Sequence, residues 1–99
     1  AVIRESVILT DSYIERDAVI ERAVIDKGVV VGQGARVGEI IPGPDLGIVC
    51  IGKNSTVPPR FVVRRGTVLG TDLLAEDVKT QFPDGVVPAN VQVSFRGAR

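Results

Sequence analysis

Four basic residues in the second half of the sequence are candidates for binding an anionic ligand. Lys53, Arg60, Arg64 and Arg65 lie on neighbouring steps of a repeating pattern. Phosphate groups favour such clusters, because an arginine side chain can contact a phosphate through two parallel hydrogen bonds. The sequence therefore offers a phosphate-binding site as one interpretation of these charges.

The alternative interpretation is a solvent-exposed ladder of ion pairs. Aligning the repeat places Glu5, Arg22 and Glu39 one above another, and Arg4 below Glu21. Opposite charges on adjacent strands contribute roughly 0.2–1 kcal/mol per pair. The sequence alone leaves both interpretations open.

The element that must position these side chains is a repeat of seventeen residues, in which Ile3, Ile20 and Val37 fall in register. Such self-similarity at a fixed period indicates a solenoid. Seven steps of six residues make up most of it, and each begins with an aliphatic residue that we expect to face the interior. The steps begin at Ile8, Ile14, Ile25, Val31, Ile51, Val57 and Val63.

In six of the seven steps, the fourth residue is of a type that tolerates a positive φ angle. These residues are Asp11, Asp17, Gly28, Gly34, Asn54, Arg60 and Gly66, with Arg60 as the exception. Sharp corners between short flat strands require that geometry. The pattern predicts an all-β fold, a single-stranded left-handed parallel β-helix of hexapeptide repeats, whose handedness departs from the usual right-handed crossover.

The repeat divides the chain into segments. We expect the β-helix to occupy residues 1–70, with a loop insertion at residues 39–47, where two prolines and two glycines interrupt the pattern. Residues 71–99 have no hexad pattern, and we expect them to form a non-repeat cap and a tail. Within them a short helix is predicted from Leu73 to Phe82, with Asp72 as N-cap and Pro83 as its stop, followed by a last strand from Val86 to Val93 that Pro88 breaks.

Composition narrows the function classes. The chain has 99 residues, enough for one domain, and its formal net charge of zero gives no electrostatic argument for nucleic acid or a membrane surface. Cys50 is the one cysteine, which fits a reducing, cytoplasmic setting, and we expect it to be a buried apolar residue rather than a nucleophile. No apolar run has transmembrane length. Because the repeat is already running by Val2, we expect this chain to be the C-terminal part of a longer polypeptide.

The sequence contains no histidine. Acyltransferases built on β-helices of this kind generally use a histidine base, and carbonic anhydrases built on them bind zinc through histidine, so both chemistries are disfavoured. Neither a phosphate-binding glycine loop nor a dinucleotide-binding motif is present. We expect no catalytic residue and no metal ligand in this chain.

The run Ala18–Gly38 resembles the C-terminal domain of bacterial glucose-1-phosphate adenylyltransferase, a sugar-phosphate nucleotidyltransferase, most specifically in Ala23-Val24-Ile25-Asp26-Lys27. The proline-bearing loop, the following run Gly47–Asn54 and Val57-Pro58-Pro59 are also similar to that family. The resemblance covers about residues 2–75. Related nucleotidyltransferases share much of the repeat, so another one, such as a mannose-1-phosphate guanylyltransferase, or a non-catalytic subunit, is the alternative.

The resemblance implies a parent enzyme that joins ATP and glucose 1-phosphate into ADP-glucose and pyrophosphate for glycogen biosynthesis. Catalysis and its Mg²⁺ would belong to an N-terminal domain, and this fragment would need no cofactor of its own. It would pack on that catalytic domain, help to assemble a homotetramer and help to shape a sugar-phosphate effector site. Some bacterial members place arginines after the last coil for this effector, whereas here only Lys79 is basic in the stretch Glu76–Phe82.

The fold itself also predicts association. A β-helix ends in unpaired backbone groups and apolar corners, which tend to pair with another chain unless they are covered. Leu73, Leu74 and Phe82 could cover one end, while Val2 and Ile3 would be bare at the other. We expect the isolated chain to self-associate, and a monomer at high concentration by light scattering would contradict this.

Overall fold

The computed structural model describes residues 1–44 and 46–94. It is a left-handed parallel β-helix of short strands arranged in three sheets, so the fold class expected from the hexad pattern is confirmed. The molecule measures 39 × 25 × 20 Å along its principal axes. The strands are β1 (Val2–Arg4), β2 (Val7–Ile8), β3 (Tyr13–Ile14), β4 (Val19–Glu21), β5 (Ala23–Ile25), β6 (Val30–Val31), β7 (Arg36–Val37), β8 (Val49–Ile51), β9 (Thr56–Val57), β10 (Val62–Val63), β11 (Val68–Leu69), β12 (Val86–Val87) and β13 (Gln92–Val93), with one helix, α1 (Ala75–Gln81), between β11 and β12.

Each of the first three turns of the chain contributes one strand to each sheet, and the later turns contribute strands to sheets A and B only. Sheet A has the order β1-β4-β7-β10-β12, sheet B the order β2-β5-β8-β11-β13, and sheet C the order β3-β6-β9. All pairings are parallel, and the registers follow the repeat: Ile3 pairs with Ile20, and Ile20 pairs with Val37. Three strands therefore make one coil, and each coil stacks on the next.

The interior consists of the aliphatic residue that opens each step. Ile20, Ile25, Val31, Val57 and Val63 are all fully buried. Their counterparts in the first coil, Ile8 and Ile14, are only partly buried because a coil covers them on one side alone. Burying a Val or Ile side chain contributes roughly 1.5–3 kcal/mol, and stacking the coils supplies this stabilisation along the whole axis.

The corners have the backbone geometry that the fourth residue of each step predicts. All seven have φ between 61° and 71°, including Arg60 at 61°. Left-handed backbone strains a residue with a Cβ by about 1–2 kcal/mol, so Arg60 keeps a conformation that the surrounding coils impose. A small polar residue directly after the corner residue supports the corner from the inside. The Ser55 hydroxyl donates to the Gly70 carbonyl at 2.6 Å and accepts from the Leu73 N–H at 3.0 Å.

The stack continues beyond residue 70, although the sequence predicts no hexad pattern there. β12 pairs with β10, and β13 pairs with β11. The expected break at Pro88 divides Val86–Val93 into two short strands, and Asn90 at φ 59° turns the corner between them. Val87 and Val93 are six residues apart and both buried, so this segment is a further hexad step that proline and polar residues conceal.

Helix α1 takes the place of a strand on the third side of the fourth coil. The Thr56 N–H donates to the Leu73 carbonyl at 2.8 Å, and Leu73 and Val78 are fully buried. The N-cap is Leu74 and not Asp72, because Asp72 occupies a corner with φ 58°. The carboxylate of Asp77 accepts the Leu74 N–H at 2.8 Å and so satisfies one of the free donors at the start of the helix.

Candidate functional site

The predicted basic residues lie at different corners of the triangular coil. Lys53 is at the corner between β8 and β9, Arg60 at the corner between β9 and β10, and Arg64 and Arg65 are between β10 and β11. Lys79 is on the last turn of α1, against sheet C. The structure therefore brings together only Arg64 and Arg65.

Arg64 and Arg65 are both bound to Glu39, the first residue of the loop insertion. The carboxylate of Glu39 accepts from Arg64 Nε at 2.9 Å and from the Arg65 backbone N–H at 3.0 Å, and it lies 3.5 Å from Arg65 Nη1. The hydrogen bond from Arg64 lowers the pKa of Glu39 by more than partial burial raises it. Together with the backbone N–H of Arg65 and the positive charges of both arginines, it holds the pKa of Glu39 below its ordinary value. The same contact raises the pKa of Arg64.

The predicted charge ladder forms in its first two coils and then changes partner. Arg22 Nε lies 3.2 Å from the Glu5 carboxylate, and Arg4 Nη1 lies 4.0 Å from that of Glu21. Among the ion pairs of the described residues, Glu39 pairs with the two arginines of the fourth coil instead of with Arg22. The reason is that the chain leaves the coil at this residue, and Arg22 Nη1 donates to the carbonyl of Ile41 in the loop, at 3.2 Å.

These contacts clamp the base of the loop between two coils. Arg22 holds it from the second coil, and Arg64 and Arg65 hold Glu39 from the fourth. Such an arrangement is first of all a structural brace for the insertion. An anionic ligand could reach the two fourth-coil arginines only in competition with the Glu39 carboxylate.

The surface of α1 is acidic where it forms a shallow depression. Glu76, Asp77, Thr80 and Gln81 line it. Two carboxylates repel a phosphate group, so the depression is a poor complement to the sugar phosphate for which Lys79 is a candidate.

Cys50 is exposed, contrary to the expectation that it is a buried apolar residue. Its neighbours Val49 and Ile51 are buried. Side chains alternate between the two faces of a strand, so the middle residue of β8 faces outward even though the run reads as continuously apolar. This thiol lies at the centre of the outer face of sheet B.

The outer face of sheet B carries the functional candidate that the sequence interpretation missed. Val7 pairs with Val24, Val24 with Cys50, and Cys50 with Val68. We call these four residues the apolar ladder. The exposed fractions of its three valines are 53%, 39% and 37% in chain order. The signal in the sequence is an apolar residue just before the inward one in the first four steps on this side, with Gln92 as the exception in the fifth. The loop insertion hides this signal by shifting the period.

The first coil exposes further apolar side chains. Val2, Ile3, Leu9 and Tyr13 are all open to solvent, at 40–65%. This agrees with the expected bare end at Val2 and Ile3, and self-association through that end stays a prediction. Within residues 1–44 and 46–94, no group of three His, Cys, Asp or Glu side chains could hold a metal ion. In the same part of the chain no helix has the length and apolar character needed to cross a bilayer.

Comparison with known proteins gives one family match. Residues 1–45 match the family described as GlmU-like, C-terminal hexapeptide. Neither the search of curated proteins nor the search of solved structures gives a match. The matched segment covers the first two coils, strand β7 and part of the loop insertion. It does not single out the adenylyltransferase family that the run Ala18–Gly38 resembles. What the match supports is a hexapeptide-repeat β-helix domain of the kind found in sugar-phosphate nucleotidyltransferases.

Proposed function

We propose that this chain is the C-terminal assembly domain of a sugar-1-phosphate nucleotidyltransferase and that it carries out no catalysis itself. The observation that carries the proposal is the combination of the family match over residues 1–45 with an exposed apolar ladder on a rigid β-helix. Exposed apolar surface that extends over several coils is typical of a protein interaction site.

The charged residues support a scaffold in preference to a catalytic site. The ion pairs of Arg4, Arg22, Arg64 and Arg65 join different coils or the loop and therefore brace the fold. Catalytic residues would have to come from another domain of the parent protein. The Mg²⁺ that nucleotidyl transfer requires is assigned to that domain, and no step here involves it.

The finer proposal is that the parent is a glucose-1-phosphate adenylyltransferase, which forms ADP-glucose and pyrophosphate from ATP and glucose 1-phosphate. Its support is the resemblance of Ala18–Gly38 and of the segment after the loop to that family. In this proposal the chain is cytoplasmic, packs on its own catalytic domain within a homotetramer, and contributes to effector binding. Arg64 and Arg65 are the better placed effector residues, because Arg60 and Lys79 lie on other sides of the coil.

The test begins with the coding sequence upstream of Ala1. The whole protein is then assayed for pyrophosphate release with glucose 1-phosphate or mannose 1-phosphate and each nucleoside triphosphate in turn. Release with ATP and glucose 1-phosphate is the expected result. Release only with GTP and mannose 1-phosphate would replace the adenylyltransferase by a guanylyltransferase. An upstream region without a nucleotide-binding domain would contradict the nucleotidyltransferase proposal as a whole.

A further inference from the structure

The apolar ladder differs from the outer face of sheet A in carrying no charge, and it is one rung longer than the uncharged row Tyr13, Val30 and Thr56 on sheet C. Its residues Val7, Val24, Cys50 and Val68 occupy four consecutive rungs in register. On sheet A the equivalent central rung holds the exposed Arg36, which pairs with Val19 and Val62. An open sheet face normally presents polar residues to water, so four apolar rungs in a row indicate a face that is covered by a partner.

The two flanks of the ladder differ from each other. In the third coil, bulky Ile48 precedes Cys50 on one flank and is 43% exposed. On the other flank is Gly52, whose N–H donates to the Leu69 carbonyl in the coil above. In the second coil, Arg22 and Asp26 occupy the same two positions, since the backbone N–H of Asp26 donates to the Ile51 carbonyl in the equivalent way. Each of these rungs therefore has opposite character on its two sides.

We propose that the apolar ladder is the surface on which a second copy of this chain packs, with the two β-helices side by side and parallel. This inference rests on the proposed assembly function and specifies its surface. The two copies would be related by a twofold axis along the ladder, with their sheets ~10 Å apart, as facing sheets are in general. Each rung then faces the same rung of the other copy, and each flank faces the opposite flank.

The opposite flanks are complementary in shape and charge in this arrangement. Ile48 faces Gly52 of the second copy, where the missing side chain leaves room for it. Asp26 of the second copy faces Arg22, whose side chain is 16% exposed and also holds Glu5 and the Ile41 carbonyl. Because the ladder itself is uncharged, superposing it on its own copy creates no like-charge contact.

Other arrangements lack this complementarity. With the two β-helices antiparallel, each flank would face itself, and Arg22 would lie against the bulky Ile48 of the second copy. A parallel pair formed through sheet A would place Arg36 against Arg36, and like charges directly opposite each other are unfavourable. A self-complementary patch is what a twofold interface requires, and the ladder satisfies this requirement.

The first test compares two lysine variants of the chain by sedimentation velocity. Val68 and Val86 are both outward valines in two-residue strands, 37% and 42% exposed, on sheets B and A respectively. Val68→Lys places two ammonium groups face to face in the proposed interface and should weaken dimerisation at least about tenfold, whereas Val86→Lys should leave it unchanged. Equal dimerisation of both variants and the wild type would overturn the proposed surface and leave the assembly function standing. A wild-type chain that stays monomeric would overturn both.

The second test determines the register with a short bismaleimide that links two thiols. In the parallel arrangement Cys50 faces Cys50, so the wild-type chain should form a covalent dimer. The variant Val24→Cys in a Cys50→Ser background should do the same. In an antiparallel arrangement, position 24 faces position 50 of the second copy. A chain that carries both Val24→Cys and Cys50 would then crosslink, whereas neither single-cysteine chain would crosslink to its own copy. Efficient crosslinking of both single-cysteine chains supports the proposal, and its absence in a dimeric sample contradicts it.

Discussion

The Glu39 carboxylate lies 2.9 Å from Nε of Arg64, which is twenty-five residues further along the chain and one coil higher in the stack. This contact joins the first residue of the loop insertion to the coil above the one that the loop interrupts. It therefore fixes the point at which the chain leaves the β-helix.

Replacing Glu39 by Gln should lower the melting temperature near neutral pH and remove part of its pH dependence. The folded pKa of Glu39 is lowered, chiefly by its hydrogen bond from Arg64. A carboxyl group whose folded pKa is lowered stabilises the fold above its unfolded pKa of about 4.3, and this contribution is lost as the pH falls through the folded pKa. Melting curves of both proteins from about pH 7 to about pH 3 should therefore converge at the acid end. Parallel curves across that whole range would contradict the assignment.

The same variant tests whether the arginine pair can bind an effector. Glu39→Gln removes the charge that competes with an anionic ligand, so sugar-phosphate binding to the chain should become tighter. Isothermal titration with a sugar bisphosphate measures this, and Arg64→Gln in the same background is the control that should abolish the gain. If neither the wild-type chain nor the Glu39→Gln variant binds the sugar bisphosphate, the effector assignment of Arg64 and Arg65 fails.

Replacing Gly38 by Ala should destabilise the fold by more than backbone strain alone. Its φ is 80°, and a Cβ added there would collide with the backbone oxygen of Glu21 in the coil below. Gly85 has the same φ of 80° and no atom within 4 Å of such a Cβ, so Gly85→Ala is a matched control. Strain at positive φ costs about 1–2 kcal/mol in both variants, and chemical denaturation should show an additional loss for Gly38→Ala only. Equal losses would mean that the backbone at Gly38 moves aside freely.

Replacing Ile20 by Ala should cost about 2–5 kcal/mol, because it opens a cavity in a fully packed interior. Ile3 occupies the equivalent position one coil below, pairs with Ile20 in sheet A, and is 47% exposed, whereas Ile20 is fully buried. Ile3→Ala should cost clearly less in a dilute, monomeric sample of the chain. Urea unfolding of both variants measures the difference. A similar cost at the two positions would show that another segment or copy already covers the first coil.

Replacing Ser55 by Ala should cost about 1–3 kcal/mol, because it leaves the buried Leu73 N–H and the Gly70 carbonyl without their partner. Ser12 takes the same position in an earlier step and bridges Asp26 and Val29 in the same way, but it is only partly buried. Ser12→Ala should therefore be the milder change, since water can replace the lost hydroxyl. Thermal unfolding of the two variants compares them, and the reverse order would contradict the role assigned to burial.

The repeat was enough to predict the fold because it is local and periodic. Each corner needs one residue that accepts positive φ, and each strand needs one aliphatic residue to fill the interior, so the spacing of Ile8, Asp11 and Ile14 already contains a corner and two strands. The same rule failed after Leu69, where α1 replaces a strand and the step from Val87 to Val93 contains Pro88. The local residue types in this segment do not indicate a hexad step, but packing against the coils below still produces one.

The sequence by itself determined the β-helix, its left-handed corners and the ion pairs Glu5–Arg22 and Arg4–Glu21, because all of these depend on residues one repeat apart. Only the tertiary structure decided which way Glu39 turns and that the basic residues are divided among three corners and α1. These features depend on where the loop insertion leaves and re-enters the stack. The loop changes the number of residues between paired strands, so residues pair across it at a spacing that differs from the repeat. No fixed period can predict that spacing.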